Sequence, residues 1–155
     1  MITYAAIIVH HGKAYVPVNA HAEGGPYLLT TPVFTADLAV DSLVKALEQV
    51  IAVGHPPLGE PSEQAPKKGK NPLLAAMKVT SWKKLEQESA SYGLYWRKDK
   101  IELYLHNPNK RGQYINDSKR FVMFPLKTPL QEIARVILED LEKLPELGFP
   151  DVKNP

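Results

Sequence analysis

Cysteine is absent from all 155 residues, which excludes disulfide staples and thiol catalysis and suits a reducing compartment. No apolar run approaches the ~18 residues that a membrane span needs. The apolar stretch from Ile2 to Val9 has no basic leader, and His10 and His11 end it, which is not the pattern of a signal peptide. A cytoplasmic location is therefore expected. The nucleotide-binding glycine patterns GxGxxG and Walker A are missing, and so is the Gly-x-Ser-x-Gly nucleophile elbow. None of the five histidines pairs at i, i+4 with another ligand on an expected helix. The net charge of +2 is too small to argue for a nucleic-acid partner by itself.

What is present is an ordinary globular composition, 44% hydrophobic and 23% charged, in a length that suits one domain with one sizeable core over residues 1–155. Proline is abundant at 14 residues, and five of these fall between Pro56 and Pro72. That Pro/Lys-rich stretch, taken over 54–72, has no apolar periodicity and reads as a linker or a binding loop. Charge is uneven: Ala65 to Leu85 holds six lysines and no acid, whereas Leu130 to Asp151 holds six acids against Arg135 and Lys143.

The hydrophobic pattern gives an α+β reading: a mostly antiparallel sheet of about five to six strands, with two longer helices and one short helix packed on it. Ile2–Val9 and Ala14–Val18 flank a Gly-containing turn and form a hairpin, with Pro17 placing the second strand at an edge or a bulge. Tyr27 to Phe34 is a third strand, interrupted by Pro32. Leu43, Val44, Leu47, Val50 and Ile51 recur at helical spacing, with Thr35 or Asp37 as cap and Gly54 as stop. Thr80 or Ser81 caps a short helix from Trp82 to Glu88, with Trp82 and Leu85 pointing into the core. Tyr92–Arg97 and Ile101–His106 form a hairpin in which Ile101, Leu103 and Leu105 make the dry face. Gln113 to Ile115 adds a brief strand, and wholly apolar Phe121–Phe124 reads as a central one. Thr128, Pro129 and Gln131 start a last helix whose buried stripe is Leu130, Ile133, Ala134, Ile137, Leu141 and Leu144.

Chemistry-bearing clusters are sparse. His10 and His11 are neighbours, so on a regular strand they face opposite sides. His10 and His106 could meet across a sheet, with Asp117 joining them. No cofactor or metal is expected, and no enzyme activity. Lysines and arginines interleaved with Tyr92, Tyr95, Trp96, Tyr104 and Tyr114 leave a nucleic-acid-binding module as an alternative, although Asp99, Glu102 and Asp117 interrupt the basic surface.

Two short motifs, Gly54-His55-Pro56 and Ser81-Trp82, sit in an order of elements that spans nearly the whole chain: a strand pair, a helix ending in Gly-His-Pro, a proline-rich loop, a Ser-Trp helix start, a hairpin and a closing amphipathic helix. In this the chain resembles small bacterial immunity proteins of contact-dependent growth inhibition and related polymorphic toxin systems, with Lys78 and Thr80 standing where that pattern has Gly-Val-Lys. The resemblance implies a non-catalytic inhibitor that binds a cognate toxin domain in the cytosol, often a nuclease, and occludes or distorts its active site. Interfaces favour Tyr, Trp and Arg, and acids would serve against a basic nuclease. The toxin-binding candidates on this reading are Tyr95, Asp99, Glu102, Tyr114, Asp117, Glu139 and Glu142.

Overall fold

A computed structural model of the chain describes residues 2–21, 27–57, 72–107, 120–149 and 151–153. Six strands form one antiparallel sheet: β1 (Tyr4–His10), β2 (Lys13–His21), β3 (Tyr27–Asp37), β4 (Ala90–Trp96), β5 (Lys100–Tyr104) and β6 (Phe121–Pro125). Their order is β3-β2-β1-β4-β5-β6, and every neighbouring pair is antiparallel. Helix α1 (Val40–Val53) follows β3, the short helices α2 (Pro72–Met77) and α3 (Trp82–Glu88) precede β4, and α4 (Leu130–Lys143) follows β6. The α+β architecture expected from the pattern is the one observed. Each half of the chain is a three-strand meander followed by a 14-residue helix, and the two meanders join antiparallel through β1 and β4. This relation is invisible as a sequence repeat.

The sheet has two unlike faces. On the first, Ile7 and Val9 of β1, Tyr92 and Leu94 of β4 and Ile101 and Leu103 of β5 pack with the apolar stripes of α1 and α4 into the main core. Fully burying side chains of this size stabilises by roughly 1.5–3 kcal/mol each, so the two helices are held chiefly by this layer. On the second face, α2 and α3 cover the first meander: Leu73, Met77 and Leu85 pack on Ala6 and Ile8, with Tyr4, Tyr15, Leu29 and Val33 around them.

Local chemistry sets the boundaries. Ser81 caps α3, its Oγ accepting the Lys84 N–H at 3.1 Å, as the sequence suggests. The Trp82 side chain lies outside the described residues, as do Tyr114, Asp117, the strand expected at 113–115 and most of the 54–72 loop. Three expectations change. Thr128 does not cap α4: the helix begins at Leu130, and its N-cap is Pro129 with no side-chain cap hydrogen bond. Thr35 and Asp37 do not cap α1, because β3 runs on through both; the N-cap is Ala39, and Ser42 Oγ instead accepts the Asp37 N–H at 2.9 Å. Of the edge or bulge expected at Pro17, the structure takes the bulge: β2 is an interior strand, and its pairing with β3 shifts register between Pro17 and Val18. Phe121–Phe124 is not central. It belongs to β6, the last strand in the order, which pairs only with β5 among the described residues, and Met123 is 56% exposed.

The Gly54-His55-Pro56 motif acts as a clamp. Gly54 takes a positive φ of 70 with ψ -141, a backbone that favours glycine, and its N–H reaches the Val50 carbonyl at 2.9 Å. His55 then donates from Nδ1 to the Asn19 carbonyl at 2.7 Å and accepts the Thr3 N–H at Nε2 at 3.0 Å. The Pro56 carbonyl accepts the His21 N–H at 2.8 Å. The end of α1 is thereby tied to the start of β1 and the end of β2.

Candidate functional site

Strand alternation puts Tyr4, Tyr95 and Tyr104 on the second face of the sheet, and register puts Phe121 beside Tyr104. Tyr4 lies directly opposite Tyr95, and their ring centroids are 4.8 Å apart. Tyr95 meets Tyr104 edge-on at 5.4 Å, and Tyr104 stacks on Phe121 at 5.5 Å. Gly93, opposite Tyr104, supplies no side chain to fill the space between the rings. The row runs from the ground covered by α2 and α3 out to edge strand β6. Burial, followed by the neighbouring Tyr95, pushes the Tyr4 hydroxyl up to about 12, which marks it as the inner end. Met123 and Leu126 at the outer end are largely exposed.

A charged pair is laid over the rings. Arg97 Nε donates to Glu102 Oε1 at 2.5 Å, and the guanidinium carbon stands 4.8 Å above the Tyr95 ring centroid. The hydrogen bond to Glu102 is the first cause of the raised Arg97 pKa. The Arg97 side chain is 50% exposed and that of Glu102 only 13%, so Arg97 is the group presented to a partner and Glu102 the group that positions it. Among the described residues no helix covers this part of the second face. The surface offers stacked aromatic rings, a thioether and an oriented guanidinium, which are means of recognition.

Of the residues selected from sequence, Tyr95 and Glu102 lie on this surface, and Asp99 stands at the exposed tip of the same hairpin. Glu139 and Glu142 do not join them. They sit on the outer side of α4, across the sheet, and Glu142 pairs with Lys153 Nζ at 2.8 Å. Arg97, Tyr104, Phe121 and Met123 on the same surface were not among the toxin-binding candidates, though Tyr104 belonged to the basic and aromatic set of the nucleic-acid alternative. The alternation of Ile101 and Leu103 with Glu102 and Tyr104 already assigned Tyr104 to the wet face, but the pairing of β5 with β6 needed the register.

Neither does His106 join His10 among the described residues. His106 Nδ1 accepts the Ser91 N–H at 3.1 Å, and its ring lies 4.4 Å from that of Phe149. Burial, then the nearby Arg120 charge, lowers its pKa to about 4. Beside it, Tyr92 Oη donates to Asp140 Oδ2 at 2.7 Å and Arg120 donates to Asp140 Oδ1 at 2.5 Å. Arg120 also donates to the His106 carbonyl. This buried network joins β4, α4 and the approach to β6, and it serves the fold.

No family model matches the chain, and no curated protein matches it in sequence. Solved structures that share its fold include the following two. One is a protein of unknown function from Neisseria meningitidis, 12% identical, with a TM-score of 0.62 over 88% of this chain and 91% of that one. The other belongs to a CdiA-CT/CdiI toxin and immunity complex from Yersinia pseudotuberculosis, 11% identical, with a TM-score of 0.60 over 88% of this chain and 95% of that one. At such identities the likeness establishes the fold alone.

Proposed function

We propose that the chain is an immunity protein that binds and neutralises a cognate toxin domain in the cytosol, with the aromatic second face of β4–β6 as its docking surface. The observation that carries the reading is the joint one of fold and face. The fold is that of a chain found in a toxin and immunity complex, and its half-open face bears Tyr95, Tyr104, Phe121, Met123 and Arg97. Tyr and Arg in well-packed, partly desolvated settings supply most of the energy of protein interfaces. Occlusion of the toxin's active site, and a nuclease as the toxin, are the finer parts of the proposal.

The hairpin candidates Tyr95, Asp99 and Glu102 are kept as part of this surface, whereas Glu139 and Glu142 lie on the opposite side of the molecule and are set aside from it. A nucleic-acid ligand is disfavoured at the same face, because Glu102 and Asp99 stand among its cations. The test is co-expression with the C-terminal domain of the neighbouring reading frame. Growth rescue and a stable complex that survives moderate salt support the proposal. Neither rescue nor complex would overturn it, and binding only to nucleic acid with a steep salt dependence would replace it.

A further inference from the structure

The turn between β1 and β2 defeats the strand rule that adjacent side chains face opposite ways. His11 has φ 44 and Gly12 φ 81, so the backbone passes through the left-handed region just after the last residue of β1. Non-glycine residues adopt that region uncommonly. The turn is fixed from outside by the Gly12 N–H, which donates to the Val152 carbonyl at 2.9 Å. The outcome is that the His10 and His11 rings come to the same side, with centroids 4.0 Å apart and planes at 81°.

Glu88, the last residue of α3, arrives at the same place. Its Oε2 is 4.0 Å from His11 Nε2. One donor atom each from His10, His11 and Glu88 lie within 4.8 Å of one another. His10 Nδ1 faces the Glu88 carbonyl at 3.4 Å. A carbonyl only accepts, so Nδ1 carries the proton and Nε2 keeps its lone pair, the arrangement in which a second hydrogen bond orients a metal-binding imidazole. The cluster borders a pocket of about 240 Å³ that Lys78, Thr80 and Lys84 also line.

We infer that His10, His11 and Glu88 form a binding site for a divalent transition-metal ion of the zinc class, with one coordination position open to the pocket. Two imidazoles and a carboxylate are a zinc donor set. Metal–ligand bonds of about 2.0–2.2 Å in a tetrahedron place donors roughly 3.3 Å apart, so the observed spread must close by only about 1.5 Å. The His11 and Glu88 side chains are 59% and 40% exposed, which leaves them room to turn inward by that amount. The cations Lys78 and Lys84 favour an anionic group at the open position. The site lies at the far end of β1 from Tyr4 and is independent of the docking surface.

The experiment is calorimetric titration of the full chain with zinc chloride near neutral pH, with cobalt as a spectroscopic stand-in. The expected result is one zinc per chain and the visible absorption of tetrahedral cobalt. His11→Ala and Glu88→Gln, both at positions with solvent-accessible side chains, should each weaken binding about ten-fold or more. His21→Ala, at the other end of β2, should bind as the unsubstituted chain does. Thermal melting of each variant confirms that it is folded. Absence of saturable zinc binding would overturn the inference. So would unaltered affinity in both His11→Ala and Glu88→Gln, or an equal loss in His21→Ala, which would reveal scattered surface histidines as the ligands.

Discussion

Asp140 is a carboxylate on the dry stripe of α4, three residues after Ile137 and four before Leu144, and it is 5% exposed. The helical spacing alone puts it inward, but only the fold supplies the Tyr92 hydroxyl and the Arg120 guanidinium that make an inward charge tolerable. Tyr92→Phe removes one of these bonds and leaves the other, and should cost about 1–3 kcal/mol in urea denaturation. Arg120→Met strands the carboxylate without its cation and should cost more, about 3–5 kcal/mol. If both variants unfold at the wild-type midpoint, Asp140 is not held as described. His106 gives a pH dependence of definite sign. Its folded pKa is lowered from 6.5 to about 4, so the folded state prefers the neutral ring. Stability from this group is fully present above pH 6.5 and is lost as pH falls toward 4, by about 3 kcal/mol in all. The lowered His10 pKa acts in the same direction, with burial its first cause. Urea melts across this range should show a shallower decline for His106→Gln; equal declines would exonerate His106.

At the scale of elements, the two motifs that carried the family resemblance both have structural work. His55 ties the end of α1 to two strands, and His55→Ala removes two hydrogen bonds, with an expected loss of about 1–3 kcal/mol. Ser81→Ala should cost about 1 kcal/mol through the cap of α3, whereas Leu85→Ala, at a fully buried anchor of the same helix, should cost about 2–5 kcal/mol. Hydrogen exchange is the discriminating measurement for that pair. Faster exchange confined to α2 and α3 is expected in Leu85→Ala, and uniform acceleration would mean that α3 unfolds only with the whole sheet. The helices were the legible elements, since a 3.6-residue stripe needs nothing beyond its own segment. Position within the sheet was less legible. Wholly apolar Phe121–Phe124, expected in the interior, lies at an edge, and the proline of Lys13–His21 is taken up by a bulge in an interior strand. Apolar content reports how much is buried, not which neighbours do the burying.

On the scale of the molecule, the two βββα halves differ in what covers the second face. The first half has α2 and α3 there, and the second presents its aromatic row. That difference gives the binding prediction. Tyr104→Ala should weaken toxin binding by about 2 kcal/mol or more, in the range of interface hot spots, while Glu139→Lys and Glu142→Lys on the far side should change it by less than about 0.5 kcal/mol. Affinity measured by calorimetry decides between them. A large effect from the α4 acids with none from Tyr104 would move the interface to the other side of the sheet.

By itself the sequence determined the fold class, the two amphipathic helices, a cap at Thr80 or Ser81, and the β4–β5 hairpin with Tyr95 and Glu102 on its two strands. These follow from periodicity and capping, which are written within about a dozen consecutive residues. The tertiary structure alone decided which strands lie at the edges and how β5 and β6 align into an aromatic row. It also gave Arg97 its place over Tyr95 and turned His11 toward His10 and Glu88. These depend on register between segments and on one backbone excursion fixed by a distant carbonyl, and no local pattern encodes either.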